Sequence, residues 1–230
     1  MEKSGITNGI VHARILKFII EKGFAPDINQ LAHLLHLSQA ETLTALQELQ
    51  AYHGVVLHPN HSKIWVIHPF SLAPTNFLVS CADGEWWGNC AWCSLGVAAL
   101  LKRDVTITTT LGADGKQVRI PIQNGQVMES DYVVHFPIPM KHAWDNVIYT
   151  CSTMLLFEHE GQVDHWCQKH GIPKGDVQPI LKIWGFAQVW YGNHLNPEWT
   201  KWTTAEAHQI FERFGLVHDI WKLETSNARF

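Results

Sequence analysis

The chain has 230 residues, 46% of them hydrophobic and 17% charged, and a formal net charge of −4 before its fifteen His are counted. That length suits one large domain or two small ones, and the apolar content supports a sizeable core and argues against disorder. A negative balance argues against nucleic acid or an anionic membrane as the main partner, and no apolar run reaches the ~18 to 20 residues of a membrane span.

Met1-Glu2-Lys3-Ser4-Gly5 lacks a charged n-region followed by an apolar h-region, so no signal peptide is expected and the cytoplasm is the expected compartment. Five Cys, an odd number without a secretion signal, favour free thiols, metal ligation or catalysis over a disulfide framework.

In chain order, residues 9–22 carry Ile10, Ala13, Leu16, Phe18 and Ile20 at roughly helical spacing, and Gly23 is a stop signal. Asp27 is the expected N-cap of a second helix that buries Leu31, Leu34 and Leu35. Ser38 and Glu41 have capping-box spacing, which predicts a third helix from about Gln39 to Tyr52. Residues 55–58 and 63–67 read as two short strands around the turn 59–62.

Three helices and a hairpin predict a winged-helix-like module over residues 1–70. Its would-be recognition helix, residues 39–50, holds two Glu and no Lys or Arg, so a structural role is expected rather than DNA reading. A Pro-punctuated linker (69–75) leads to a core over 76–230, expected as a mixed β-sheet with flanking helices, giving an α+β chain overall. Within that core, strands are expected at 76–80, 105–110, 117–122 and 132–136, with the turn Asn124-Gly125 between the last two. Val147 to Phe157 reads as a buried strand carrying Cys151. Helices are expected at 161–170, ending at Gly171, at 179–191, and from a Thr204 cap to Phe214.

The densest chemistry lies in Glu85-Trp86-Trp87-Gly88-Asn89-Cys90-Ala91-Trp92-Cys93-Ser94-Leu95-Gly96, whose Trp87-Gly88-Asn89 turn is expected to open a helix from about Cys90 to Leu101. Cys90 and Cys93, three apart, would share one face at a helix start, where the dipole favours thiolate. A structural zinc site needs four ligands, usually as two close pairs, and only one close pair is present. A redox Cys-x-x-Cys expects a βαβ context and a Pro between the thiols, where this chain has Ala91-Trp92. A third reading treats the Cys as small buried hydrophobes, which suits Cys81 and Cys167 best.

A winged helix, then Ala91-Trp92-Cys93-Ser94-Leu95, then Cys151 ahead of Leu155-Leu156-Phe157, then a helix bearing Trp166, resembles the alkylmercury (organomercurial) lyase family from about residue 10 to residue 221. The resemblance implies protonolysis of a carbon–mercury bond, with Cys93 as first thiol and Cys151 as second. Thiolate sulfur is also the ligand that soft metals select. Two sulfurs sharing one mercury should stand roughly 4 to 5 Å apart, about twice a ~2.3 Å metal–sulfur bond. The family's third residue is an Asp three positions after the first Cys; here it is Gly96, which has no side chain to carry a proton. A further thiol of typical members falls at Leu111 or a neighbouring Thr.

Candidates to replace the missing acid are Cys90, Asp83, Glu85, His142 and Asp145, although Asp83-Gly84 also reads as a turn and Asp145 as a cap. Trp86, Trp87, Trp92 and Trp144, with Gly96, are either core or the wall of an apolar cavity for an organic group. The expected ligand is a small organomercurial or another small organic molecule, with no cofactor, nucleic acid or membrane. The alternatives are a soft-metal-binding protein that uses Cys90, Cys93 and Cys151 without cleaving anything, and a divergent relative with another organic substrate.

Overall fold

The computed structural model describes residues 6–224. The N-terminal part holds α1 (Asn8–Lys22), α2 (Ile28–Leu35) and α3 (Gln39–Ala51), followed by the hairpin β1 (Val56–Leu57) and β2 (Ile64–Ile67). Each helix start is chemically specified: Thr7 accepts the Ile10 N–H, and Asp27 with Gln30 and Ser38 with Glu41 form reciprocal capping boxes. α1 stops at Gly23, whose φ of 76° lies in the left-handed region that glycine enters without a Cβ clash.

Next come β3 (Phe70–Ser71), β4 (Phe77–Cys81), β5 (Gly84–Gly88), α4 (Ala91–Leu101), β6 (Val105–Thr110), β7 (Gln117–Gln123), β8 (Gln126–Val127) and β9 (Val133–Phe136). The chain then runs through α5 (Val147–Thr153), β10 (Leu156–Phe157), α6 (Glu160–His170), β11 (Asp176–Pro179), α7 (Ile180–Tyr191) and α8 (Thr204–Arg213). The strands form an eight-stranded sheet, β1-β2-β3-β5-β4-β6-β7-β8, and a three-stranded sheet, β10-β9-β11. The fold is α+β, and every recorded strand pair is antiparallel, where a mixed sheet was expected. Short turns between sequential strands suffice for that pairing, so no long crossover is needed.

β3, β5, β8 and β11 go beyond the strands expected from the sequence. β5 replaces part of the expected Trp-Gly-Asn turn: Trp86 and Trp87 pair with Val79 and Leu78 of β4, and the pleat sends their rings to opposite faces. Trp86 is buried against α1 and its Nε1 donates to the Ile19 carbonyl at 2.9 Å, while Trp87 is half-buried. The last helix is capped by Thr203 rather than Thr204, through the Glu206 N–H.

The largest correction concerns residues 147–157, which form a helix, α5, and only then the two-residue strand β10. Asn146 Oδ1 accepts the Tyr149 N–H at 3.0 Å, and the Ser152 and Thr153 hydroxyls donate to carbonyls one turn back. The buried residues Val147, Thr150 and Cys151 fall at i, i+3 and i+4, a helical face hidden within a β-branched run.

α4 is the central element. All of its residues except Ala99 are buried, because it is clamped between the sheet and α7. Gly96 permits that approach: a Cβ there would stand 2.4 Å from Tyr191 Cδ2 and 3.0 Å from Pro69 Cβ. Gly88 does the same at the helix start, since a Cβ would stand 2.6 Å from Ser94 Cα.

Candidate active site

Three segments converge at the N-terminus of α4. Ala91 N–H donates to the Met154 carbonyl at 3.1 Å, tying α4 to the end of α5, and Asn89 N–H donates to the Pro69 carbonyl at 3.1 Å, tying it to the β2–β3 connection. Those two bonds bring Cys93, Cys151 and His68 together. Cys93 Sγ, Cys151 Sγ and one His68 ring nitrogen all lie within 4.8 Å of one another, and His68 Nε2 is 3.8 Å from Cys151 Sγ. Cys90 is the N-cap of α4, its sulfur accepting the Cys93 N–H at 3.2 Å. Tyr191, from α7, places its hydroxyl oxygen 3.6 Å from Cys93 Sγ.

The electrostatics separate the three thiols. Burial opposes ionisation of Cys93, but hydrogen bonds from Cys151 and Cys90, the nearby His68 and the Tyr191 hydroxyl outweigh it and hold this thiol well below its ordinary pKa. Burial pushes Cys90 well up, and hydrogen bonds to Cys90 and Cys93, with burial, push Cys151 well up. Of the three thiols, the surroundings thus favour the thiolate on Cys93 and the protonated form on Cys90 and Cys151. Burial and the Cys93 charge also raise Tyr191 well above the usual phenol value. Burial lowers His68 and, with it, its ring's readiness to protonate.

These groups open on a narrow, mostly apolar cavity. Its walls are Trp92, Trp144, Trp190, Trp199 and Trp202, with His12, His53, His194 and Lys201 as polar points. Lys201 Nζ lies 5.1 Å from the Trp144 ring centroid, and burial lowers its pKa to about 8. An apolar, aromatic enclosure with a few convergent polar groups suits a small organic ligand.

Of the residues singled out in the sequence, Cys90, Cys93, Cys151, Trp92 and Trp144 line this cavity. Trp86 and Trp87 lie on β5 and do not reach it, and Gly96 sits behind it against Tyr191. The four candidate acids lie elsewhere. Asp83 is 70% exposed and pairs with Arg103 at 2.8 Å; His142 and Asp145 pair with each other at 2.8 Å on the surface; Glu85 is exposed on β5. Cys167 lies away from the cavity, 3.6 Å from His135, and Cys81 is at the end of β4. His68, Tyr191, Lys201, His12 and His194 complete the cavity, and none of them stands out in the sequence. Among fifteen His, no local pattern distinguishes His68.

The fold and cavity define an α+β protein with a buried, thiol-bearing pocket. The alkylmercury lyase (MerB) family model matches residues 70–192, more than half of the chain, and its start falls two residues after His68. This chain belongs to the alkylmercury lyase family. Among solved structures it is similar to the mercury-bound form of MerB2, with a TM-score of 0.65 and 18% identity over 83% of this chain and 91% of that one. At that identity the likeness is one of fold. No curated protein matches the sequence. Among the described residues, no helix is long and apolar enough to cross a membrane.

Proposed function

We propose that this chain is an organomercurial lyase that captures its substrate on Cys93 and completes protonolysis of the carbon–mercury bond with Cys151. The observation that carries this reading is the pair of sulfurs within 4.8 Å of each other, one biased to thiolate and one held protonated, facing an aromatic cavity. That separation is compatible with the roughly 4 to 5 Å that two sulfurs on one mercury require.

The Cys93 thiolate forms a sulfur–mercury bond and displaces the substrate's inorganic ligand. The carbon–mercury bond then breaks with its electron pair on carbon, which takes a proton, while the second sulfur–mercury bond forms from Cys151. The Cys151 thiol supplies that proton, so the hydrocarbon leaves and Hg(II) remains on two thiolates. Cys90 is a second protonated thiol beside Cys93, whose N–H its sulfur accepts. The Trp walls hold the organic group and exclude water.

Purified protein given phenylmercury should release benzene. Cys93→Ser and Cys151→Ser should each lower that release by about 100-fold or more, whereas Cys167→Ser should stay within about 2-fold of wild type. Release that survives in both Cys93→Ser and Cys151→Ser overturns the assignment. A second reading, sequestration of a soft metal without cleavage, draws on Gly96, which supplies no carboxylate. Stoichiometric mercury uptake with no benzene would select it.

A further inference from the structure

We infer that His68 is a third ligand of the soft cation held between Cys93 and Cys151, making the site a centre of two sulfurs and one nitrogen rather than a two-coordinate one. The inference rests on the reading of Cys93 and Cys151 as mercury-binding thiols and adds to it a residue two positions before the span that the family model matches.

Among the described residues, these three are the group of His, Cys, Asp and Glu whose donor atoms converge to within 4.8 Å. A trigonal ion with ~2.3 Å bonds to sulfur and ~2.1 Å to imidazole nitrogen sets each nitrogen–sulfur edge at about 3.8 Å. His68 Nε2 already stands 3.8 Å from Cys151 Sγ, the length of one such edge. Its orientation is set by Asn89, whose Nδ2 lies 3.2 Å from Nε2, and by the Trp144 ring at 5.2 Å. An amide N–H can only donate, so Nε2 presents its lone pair, and an entering ion takes that lone pair from Asn89. Cys90 is less suited to be the third ligand, because its sulfur caps α4 through the Cys93 N–H. Two thiolates and one imidazole select a soft or borderline divalent ion over Mg(II) or Ca(II). A third ligand would also retain the ion after the hydrocarbon has left, until an external thiol removes it.

Hg(II) alone, added at one equivalent to the reduced full-length protein, allows X-ray absorption to count the ligands. The expected spectrum has two sulfurs, one nitrogen and the multiple-scattering pattern of an imidazole. In His68→Ala it should revert to two sulfurs, and an excess dithiol should strip the ion at least about 10-fold faster. A two-sulfur spectrum in wild type, or an imidazole signal that persists in His68→Ala, overturns the inference. If His68→Ala does not fold, the wild-type spectrum decides alone. A mixed sulfur and imidazole spectrum without benzene release from phenylmercury leaves the site standing and removes the lyase reading. Benzene release with a two-sulfur spectrum does the reverse.

Discussion

Gly96 and Tyr191 occupy one space between them. The Tyr191 ring fills the volume that a side chain at position 96 would need, with Cδ2 2.4 Å and Cε2 2.5 Å from a built Cβ. The ring is fully buried and packs on Trp92 and His194, so it has little room to yield. Gly96→Ala should therefore destabilise the protein by roughly 1 to 3 kcal/mol, the usual cost of overpacking, despite alanine's better helix propensity. In Gly96→Ala/Tyr191→Ala the two losses should be clearly less than additive, because removing the ring removes the clash. Urea unfolding of the four proteins measures this, and a Gly96→Ala variant within about 0.5 kcal/mol of wild type rejects the crowding account. The sequence alone marks Gly96 as a departure from the family pattern, but that Tyr191 fills the vacated space, 95 positions on, depends on how α7 packs and has no local signature.

At the scale of elements, what was legible follows from how local each signal is. The Asp27 cap, the Ser38–Glu41 box, the stop at Gly171 and the Asn124-Gly125 turn involve neighbours in sequence, and the structure has each of them. α5 reads as a strand because Val147, Ile148, Thr150 and Thr153 favour one by propensity, while its cap and its packing decide for a helix. His68 could not be placed at the cluster because the bonds that bring it there run from Asn89 to Pro69 and from Ala91 to Met154, both non-local. The Asn146 cap matters more than its size suggests, since α5 is seven residues long and carries Cys151. Asn146→Ala should cost about 1 kcal/mol and fray that helix. Cys151 should then alkylate several-fold faster with iodoacetamide, followed by mass spectrometry, while Cys93 changes little. Thr203→Ala removes the cap of α8 at similar cost and should leave Cys151 alkylation unchanged. Equal acceleration in both variants would mean that global opening, not α5, exposes the thiol.

Across the whole molecule, α1 docks on the segment after α7 through neutral imidazoles. His12 stacks on Trp199 with centroids 3.8 Å apart and planes 12° from parallel, and His194 meets both rings. A Cβ on Gly9 would stand 2.5 Å from the Pro197 carbonyl oxygen, so backbone meets backbone there. The sheet also runs without a break from β2 to β3, across the boundary we propose between a module of residues 1–70 and a core of residues 76–230. Both features favour one cooperative unfolding transition. Its acid dependence has a definite sign. Burial lowers the His12 pKa from 6.5 to about 3, and burial with the neighbouring His12 and His68 lowers His194 well below its ordinary value. Between pH 6.5 and about 3 the unfolded chain binds a proton at His12 that the folded chain does not, so stability falls as pH falls through that window. The His12 contribution is at most roughly 5 kcal/mol, at about 1.4 kcal/mol for each pH unit that separates the folded from the unfolded pKa. His12→Phe keeps a flat ring against Trp199 and removes the proton. Its unfolding free energy should fall less steeply than that of wild type from pH 6.5 downward, with the two curves closest above pH 7. Denaturant melts at half-unit pH steps, read by Trp fluorescence, test this, and parallel curves would show that the buried imidazole does not set the acid limit of the fold.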